Sequence, residues 1–353
     1  MVIGVRRGLI SLAVVGLLAL LGWAGATVVS SSGILTLLAA AARAPTSEPA
    51  RTPRIGYLGS LTRAWPAPLG EPRVDVFRDG LRQQGYVEGA NIVIEYRFAE
   101  GDFGRLSGLA ADLVRLNVDA IVLGDTSAIR YAREATSTIP LVMSLSSDPV
   151  RSGFATSLHR PGGNVTGMTL STIAVDAKRL ELFREMVPSL RRVAILWAKN
   201  DISDLEWEGV KTAAAILDLE LLSYETKGDV DIHLLLEQMV EDSADGIFVF
   251  GTLLLNPLAP QVAAHARRLS LPLAGSNVEW VKAGALMTYV PDYGDLYRRA
   301  AGQVRRILHG AAPAALPIEQ PSRFDLAVNL STAEALHLEI PRSIRIRATD
   351  VVQ

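Results

Sequence analysis

From residue 54 onward, short apolar runs alternate with longer segments of helical period. The runs 54–59 (RIGYLG), 119–124 (DAIVLG) and 140–145 (PLVMSL) read as strands buried on both faces. Residues 91–98 alternate instead, with Ile92, Ile94, Tyr96 and Phe98 on one side. Between these runs, Val74, Phe77 and Leu81 share one face of a helix over 72–84, which Gly85 ends. Leu106, Leu109, Leu113 and Leu116 mark a second helix, and 127–136 a third. This order, with connections this short, predicts a parallel sheet.

The rhythm breaks at His159-Arg160-Pro161-Gly162-Gly163-Asn164, which suits neither a helix nor a central strand. It then restarts, with strands over 192–197, 220–224, 246–250 and 271–275 and helices over 205–217, 231–242 and 257–269. A long amphipathic helix over 292–309 follows, with Leu296, Ala300, Val304 and Leu308 on one face. Pro313 and Pro317 then break the chain before a late strand over 324–330. The pattern predicts an α/β protein of two doubly wound parallel-sheet lobes, each of about five strands, joined by a hinge. Lobe 1 is expected to comprise 54–163 and 291–319, and lobe 2 to comprise 164–290 and 320–353. Pro161, Gly162 and Gly163, together with Pro291 and Asp292, are the expected hinge positions.

The first 53 residues follow other rules. Arg6 and Arg7 precede an apolar run over 8–29, and no charge falls between Arg7 and Arg43. This is the pattern of a secretory signal, with Ala42-Arg43-Ala44 as the cleavage site, yet the run is also long enough to stay as a membrane-spanning anchor. Residues 1–44 are therefore expected to be an export signal or anchor, with the rest of the chain outside the cytoplasm. Residues 45–53 (PTSEPARTP) read as an extended linker.

Composition narrows the function. The 353 residues carry 35 basic and 37 acidic side chains, a balance that argues against nucleic-acid binding. The absence of cysteine excludes disulfides, thiolate nucleophiles and Cys-ligated metals. Neither a G-x-S-x-G elbow nor a phosphate loop is present, and no two of the five histidines stand two to four residues apart. The expectation is a monomeric binding protein, without catalytic residues, metal or cofactor.

In open α/β sheets, ligands collect at the carboxyl ends of the parallel strands. In this chain the first-lobe tips carry Ser60, Thr62, Thr126, Ser127, Ser146 and Asp148, and the second-lobe tips carry Asn200, Thr252, Asn277 and Glu279. Thr126 and Ser127 open a helix, where hydroxyls and backbone N–H groups suit a carboxylate and equally suit helix capping. Asp148 suits a ligand ammonium or the capping of a turn before Pro149. Trp65, Trp197, Trp280 and Tyr289 stand near these tips as candidate walls for an apolar group.

Several blocks resemble a known family. Asp148-Pro149-Val150, Arg160-Pro161-Gly162-Gly163-Asn164-Val165-Thr166-Gly167 and Lys178-Arg179-Leu180-Glu181-Leu182 are similar to blocks of the ABC-transporter substrate-binding proteins that include the TrpX-type tryptophan and tyrosine binders. So are Ala283-Gly284-Ala285-Leu286-Met287-Thr288-Tyr289, Asp295-Leu296-Tyr297-Arg298-Arg299-Ala300-Ala301 and Leu316-Pro317-Ile318-Glu319-Gln320-Pro321, with Phe324-Asp325-Leu326-Ala327-Val328-Asn329-Leu330. The resemblance runs from about Arg54 to Gln353. It implies a type I periplasmic-binding-protein-like fold and delivery of a small solute to a permease with an ATPase partner. Ala198-Lys199 stands where family members carry Asn-Pro, and the family's Asp-Pro near Gly251-Thr252 is missing. A membrane-anchored ligand-sensing domain of the same fold is the alternative reading.

Overall fold

The computed structural model describes residues 51–62, 73–199, 203–226, 232–252 and 254–353. The export segment, most of the linker, Trp65 and Asn200 lie outside the described residues. Residues 52–353 form one unit.

Among the described residues the strands form two sheets. The first has the order β2-β1-β3-β4-β5 and is parallel throughout. Its strands are β1 (Arg54–Gly59), β2 (Val93–Phe98), β3 (Ala120–Leu123), β4 (Leu141–Met143) and β5 (Val165–Gly167). Helices α1 (Arg73–Gln83), α2 (Leu106–Arg115) and α3 (Thr126–Ala135) connect them. Helices on both faces leave β3 and β4 with no solvated side, which is why they read as unbroken apolar runs. Ile55, Tyr57 and Val122 pack with α1 on one face, and Leu58, Ile121 and Leu123 with α2 and α3 on the other.

After α4 (Thr172–Met186) the second sheet begins. It comprises β6 (Arg192–Trp197), β7 (Glu220–Glu225), β8 (Gly246–Val249), β9 (Leu273–Ala274), β10 (Met287–Pro291), β11 (Phe324–Asn329) and β12 (Asp350–Val352), in the order β12-β11-β10-β9-β8-β6-β7. Seven strands, not five, make this sheet, because the antiparallel β10–β11 pair and the short β12 extend it. Its helices are α5 (Ser203–Leu217), α6 (Ile232–Glu241), α7 (Ala259–Arg268) and α8 (Val278–Lys282), with α10 (Leu330–Ala335) and α11 (Arg342–Arg347) near the C-terminus. Between β10 and β11, α9 (Tyr293–Leu308) returns to the first lobe, where Leu296, Tyr297, Ala300 and Val304 join the cluster built on α1.

The lobe boundary differs from the expected one. Val165–Gly167 pairs with β4, so the chain leaves the first lobe after Gly167 rather than after 163. Pro161, Gly162 and Gly163 form the turn that feeds β5 and sit inside lobe 1. Both glycines have positive φ, as a tight turn requires, and Asn164 ties the turn down by donating to the carbonyls of Thr136 and Ile139. The crossings lie at 168–171, at Pro291–Asp292 and at 319–323, and they are laced together. Thr169 N donates to Glu319 O, Glu319 N to Gly167 O, and Asp292 N to Arg323 O. Pro291 ends β10, and Asp292 caps α9 by accepting from Asp295 N. No helix among the described residues is long and apolar enough to cross a membrane.

Candidate functional site

The carboxyl ends of β3 and β4 face those of β6, β8, β9 and β10 across a cavity of about 400 Å³. Small-molecule sites span roughly 300–1,000 Å³. Thr126, Ser127 and Ser147 line it from the first lobe, and Lys199, Thr252, Ser276 and Asn277 from the second. Tyr131, Leu145, Leu170, Val175, Leu254, Val290 and Tyr293 supply apolar wall.

The first-lobe floor is set by Asp125. Its carboxylate accepts from Ser60 N at 2.8 Å, from Ser60 Oγ at 2.5 Å and from Ala128 N, the third amide of α3, at 3.2 Å. This side-chain cap leaves Thr126 and Ser127, the first two residues of α3, at the cavity wall, and the Thr126 hydroxyl lies 3.3 Å from that of Ser147. Arg73 opens α1 beside them. The Tyr297 oxygen accepts from Arg73 and Tyr57 while its O–H donates to the Gly124 carbonyl at 2.7 Å. Burial pushes the Tyr297 phenol up to about 12, opposed by Arg73 and reinforced by Asp125, so it stays a neutral donor.

The second-lobe wall carries charge deeper down. Asp176 and Arg179, one turn apart on α4, form an ion pair at 2.9 Å, and Glu206 of α5 joins them. The three are 3%, 2% and 1% exposed. Arg179 also donates to the Val249 carbonyl at 2.9 Å and lies 4.3 Å over the Phe248 ring. Burial, and then Asp176, hold the Glu206 carboxyl well above the ordinary range; Arg179 and the Gly251 amide pull the other way without prevailing. Burial raises Asp176 as well, against the pull of Arg179.

Of the residues singled out in the sequence, Thr126, Ser127, Thr252 and Asn277 reach the cavity. Thr252 Oγ1 also accepts from Leu255 N, and Asn277 caps α8 through Glu279 N while donating to Asn256. The others are placed elsewhere. Ser60 is buried beneath the site, bound to Asp125, and Ser146 is fully buried away from the cavity lining. Thr62 borders a small separate recess with Arg73 and Asp125. Asp148 is absent from the cavity wall: its carboxylate accepts from Val150 N and Arg151 N and closes the turn, which is the capping role. Glu279 pairs with Lys282 on the exposed side of α8.

The aromatic walls also differ. Trp280 is core and donates to Asn256, Trp197 packs edge-on against Trp207, and Tyr289 stacks on Phe324. Tyr131, Tyr293 and Phe103 take the wall instead. Two histidines far apart in sequence meet between α6 and α7, His233 Nδ1 lying 2.7 Å from His265 Nδ1, a pairing that spacing along the chain does not reveal.

The family model described as ABC transporter substrate binding protein matches residues 71–352. The chain belongs to that family. A tyrosine-binding protein of Clostridioides difficile is 25% identical over 264 residues, 74% of this chain and 76% of that one. The crystal structure of an ABC domain in complex with L-Trp from Streptococcus pneumonia superposes with a TM-score of 0.76 at 24% identity, covering 85% of this chain and 100% of that one. The leucine binding protein LivK from Thermotoga maritima gives 0.58 at 13% identity, over 72% and 82% of the two chains. The fold is that of a type I periplasmic binding protein, the family's members bind solutes rather than transform them, and the family works outside the cytoplasm.

Proposed function

We propose that this substrate-binding protein closes its two lobes on a small carboxylate-bearing solute, foremost an amino acid, and delivers it to a permease with an ATPase partner. The cavity at the strand tips carries this reading, because it joins an apolar wall to hydroxyls at the start of a helix beside a half-buried arginine. The ligand carboxylate sits against Thr126 and Ser127, where the two hydroxyls and the dipole of α3 favour negative charge and Arg73 adds a full one. Thr252 and Asn277 close from the second lobe, and Pro291 and Asp292 bend with the neighbouring crossings. A solute selects the closed form by binding it better than the open one. The tyrosine-binding relative and the L-Trp complex support an amino acid of this size. The site of action is the periplasm or the outer face of the cytoplasmic membrane, reached through the 1–44 segment whether cleaved or kept.

A thermal-shift screen of amino acids and simple carboxylates tests the class. The double variant Thr126→Ala and Ser127→Ala is expected to weaken the best ligand by about a hundredfold or more, since each hydrogen bond to a charged group contributes about 1.5–3 kcal/mol. Unchanged affinity in that variant would remove the carboxylate site.

A further inference from the structure

We infer that Asp176, Arg179 and Glu206 form a subsite for an ammonium group, so that the solute carries a positive charge as well as a carboxylate. This rests on the cavity being the binding site and names the second half of what it binds. The argument is a count of charge and partners. Two carboxylates flank one guanidinium in a place almost without solvent, which leaves one negative charge unbalanced when both are ionised. Asp176 Oδ2 and Glu206 Oε2 have no hydrogen-bond partner among the described residues, although each is buried and belongs to a cavity-lining side chain. Buried polar atoms are normally paired, and in this cluster two acceptors and the Arg179 Nε donor are not, so it calls for a polar group from outside the chain, with the two carboxylate oxygens open to its donors. Arg179 cannot swing to serve them, since Val249, Asp176 and the Phe248 ring fix its guanidinium.

Among the described residues, Arg73 lines the same cavity but is bound to Tyr297. Tyr293 of α9 faces the cluster as a neutral phenol, raised by burial and kept so against Arg73 and Arg179. Lys199, past β6, lines the same cavity from an exposed position where water screens it. A proton on Glu206 therefore balances the cluster until an ammonium arrives. The ammonium N–H groups then donate to the two carboxylates, and the Glu206 proton leaves to the buffer. Asp125 offers no rival subsite, being occupied by Ser60 and the α3 amide.

The experiment compares L-tryptophan with 3-(indol-3-yl)propionate, which lacks only the ammonium, by calorimetry in two buffers of different ionisation enthalpy near neutral pH. L-Tryptophan is expected to bind at least about tenfold tighter, with release of a substantial fraction of one proton per ligand, while the propionate releases none. Glu206→Gln should abolish the proton release and narrow the gap between L-tryptophan and the propionate. Asp176→Asn should also narrow the gap. Equal binding of the two probes by the unaltered protein, or an unchanged gap in Glu206→Gln, overturns the ammonium subsite and leaves the carboxylate site standing. Binding of neither probe overturns both. The probe pair and the proton count need no variant, so a misfolded variant does not shield the inference.

Discussion

At the scale of single residues, burial holds the Glu206 carboxyl well above its ordinary range, and that has a consequence for stability. Its folded-state carboxyl titrates above the unfolded value of about 4.3. The folded protein therefore keeps a proton that the unfolded chain gives up, and stability falls as pH rises from the unfolded value through the folded one. Asp176 shifts in the same direction. Glu206→Gln keeps the shape and removes the titration. It should be more stable than the parent at neutral pH, because it no longer has to hold a proton that the unfolded chain gives up. The gap should close as pH falls to about 4. Denaturant unfolding at a series of pH values checks this, and a variant less stable at every pH refutes it. A binding-site residue that costs stability for function is a common exchange.

Among elements, the crossing after β5 depends on Gly167. Its φ is +129°, and a Cβ there would sit 2.2 Å from the Met143 carbonyl oxygen. Gly167→Ala should cost about 3 kcal/mol or more, because both the backbone angle and the contact with β4 forbid the methyl group. An urea midpoint within error of the parent would show that the crossing relaxes freely. This element also shows where the sequence stops being legible. The β/α rhythm could be read because strands covered on both faces must be apolar throughout. β5 could not, since Val165-Thr166-Gly167 is too short for any period and the preceding Pro-Gly-Gly looks the same whether it opens a hinge or a strand. The hydroxyls of Thr126 and Ser127 were legible because strand tips and helix starts follow from the rhythm. Asp148 and Glu279 were not, because each finds a partner within three residues. Asp176 and Arg179 did leave a trace: they fall in phase with Phe183 and Met186 on the buried face of α4, where charge is out of place. Glu206, amid Asp204 and Glu208, reads as a solvated acidic helix start and reveals its burial only in three dimensions.

For the whole molecule, the ion pair between Arg151 and Glu208 matters most, because it joins a loop of the first lobe to α5 of the second. Asp148 holds the turn that presents Arg151, so the residue expected to meet a ligand instead sets one side of this clasp. Both partners are well exposed, and each moves the other's titration in the sense of a pair, Arg151 up and Glu208 down through their shared hydrogen bond. An exposed pair is weak and screened by salt, so it biases the hinge without locking it. In the proposed clamshell the three laced crossings would bend and a solute would join the walls inside, while this clasp joins the rims outside. The ligand-free protein should therefore open when salt is raised, seen as a larger radius of gyration in X-ray scattering. Arg151→Gln and Glu208→Gln should each be open already at low salt and respond little to more of it, and the double variant should match the singles. Their solute affinity should fall only slightly, since the contacts inside the cavity are intact. Scattering that is independent of salt in the parent and identical in the variants would show that the hinge alone sets the closed form.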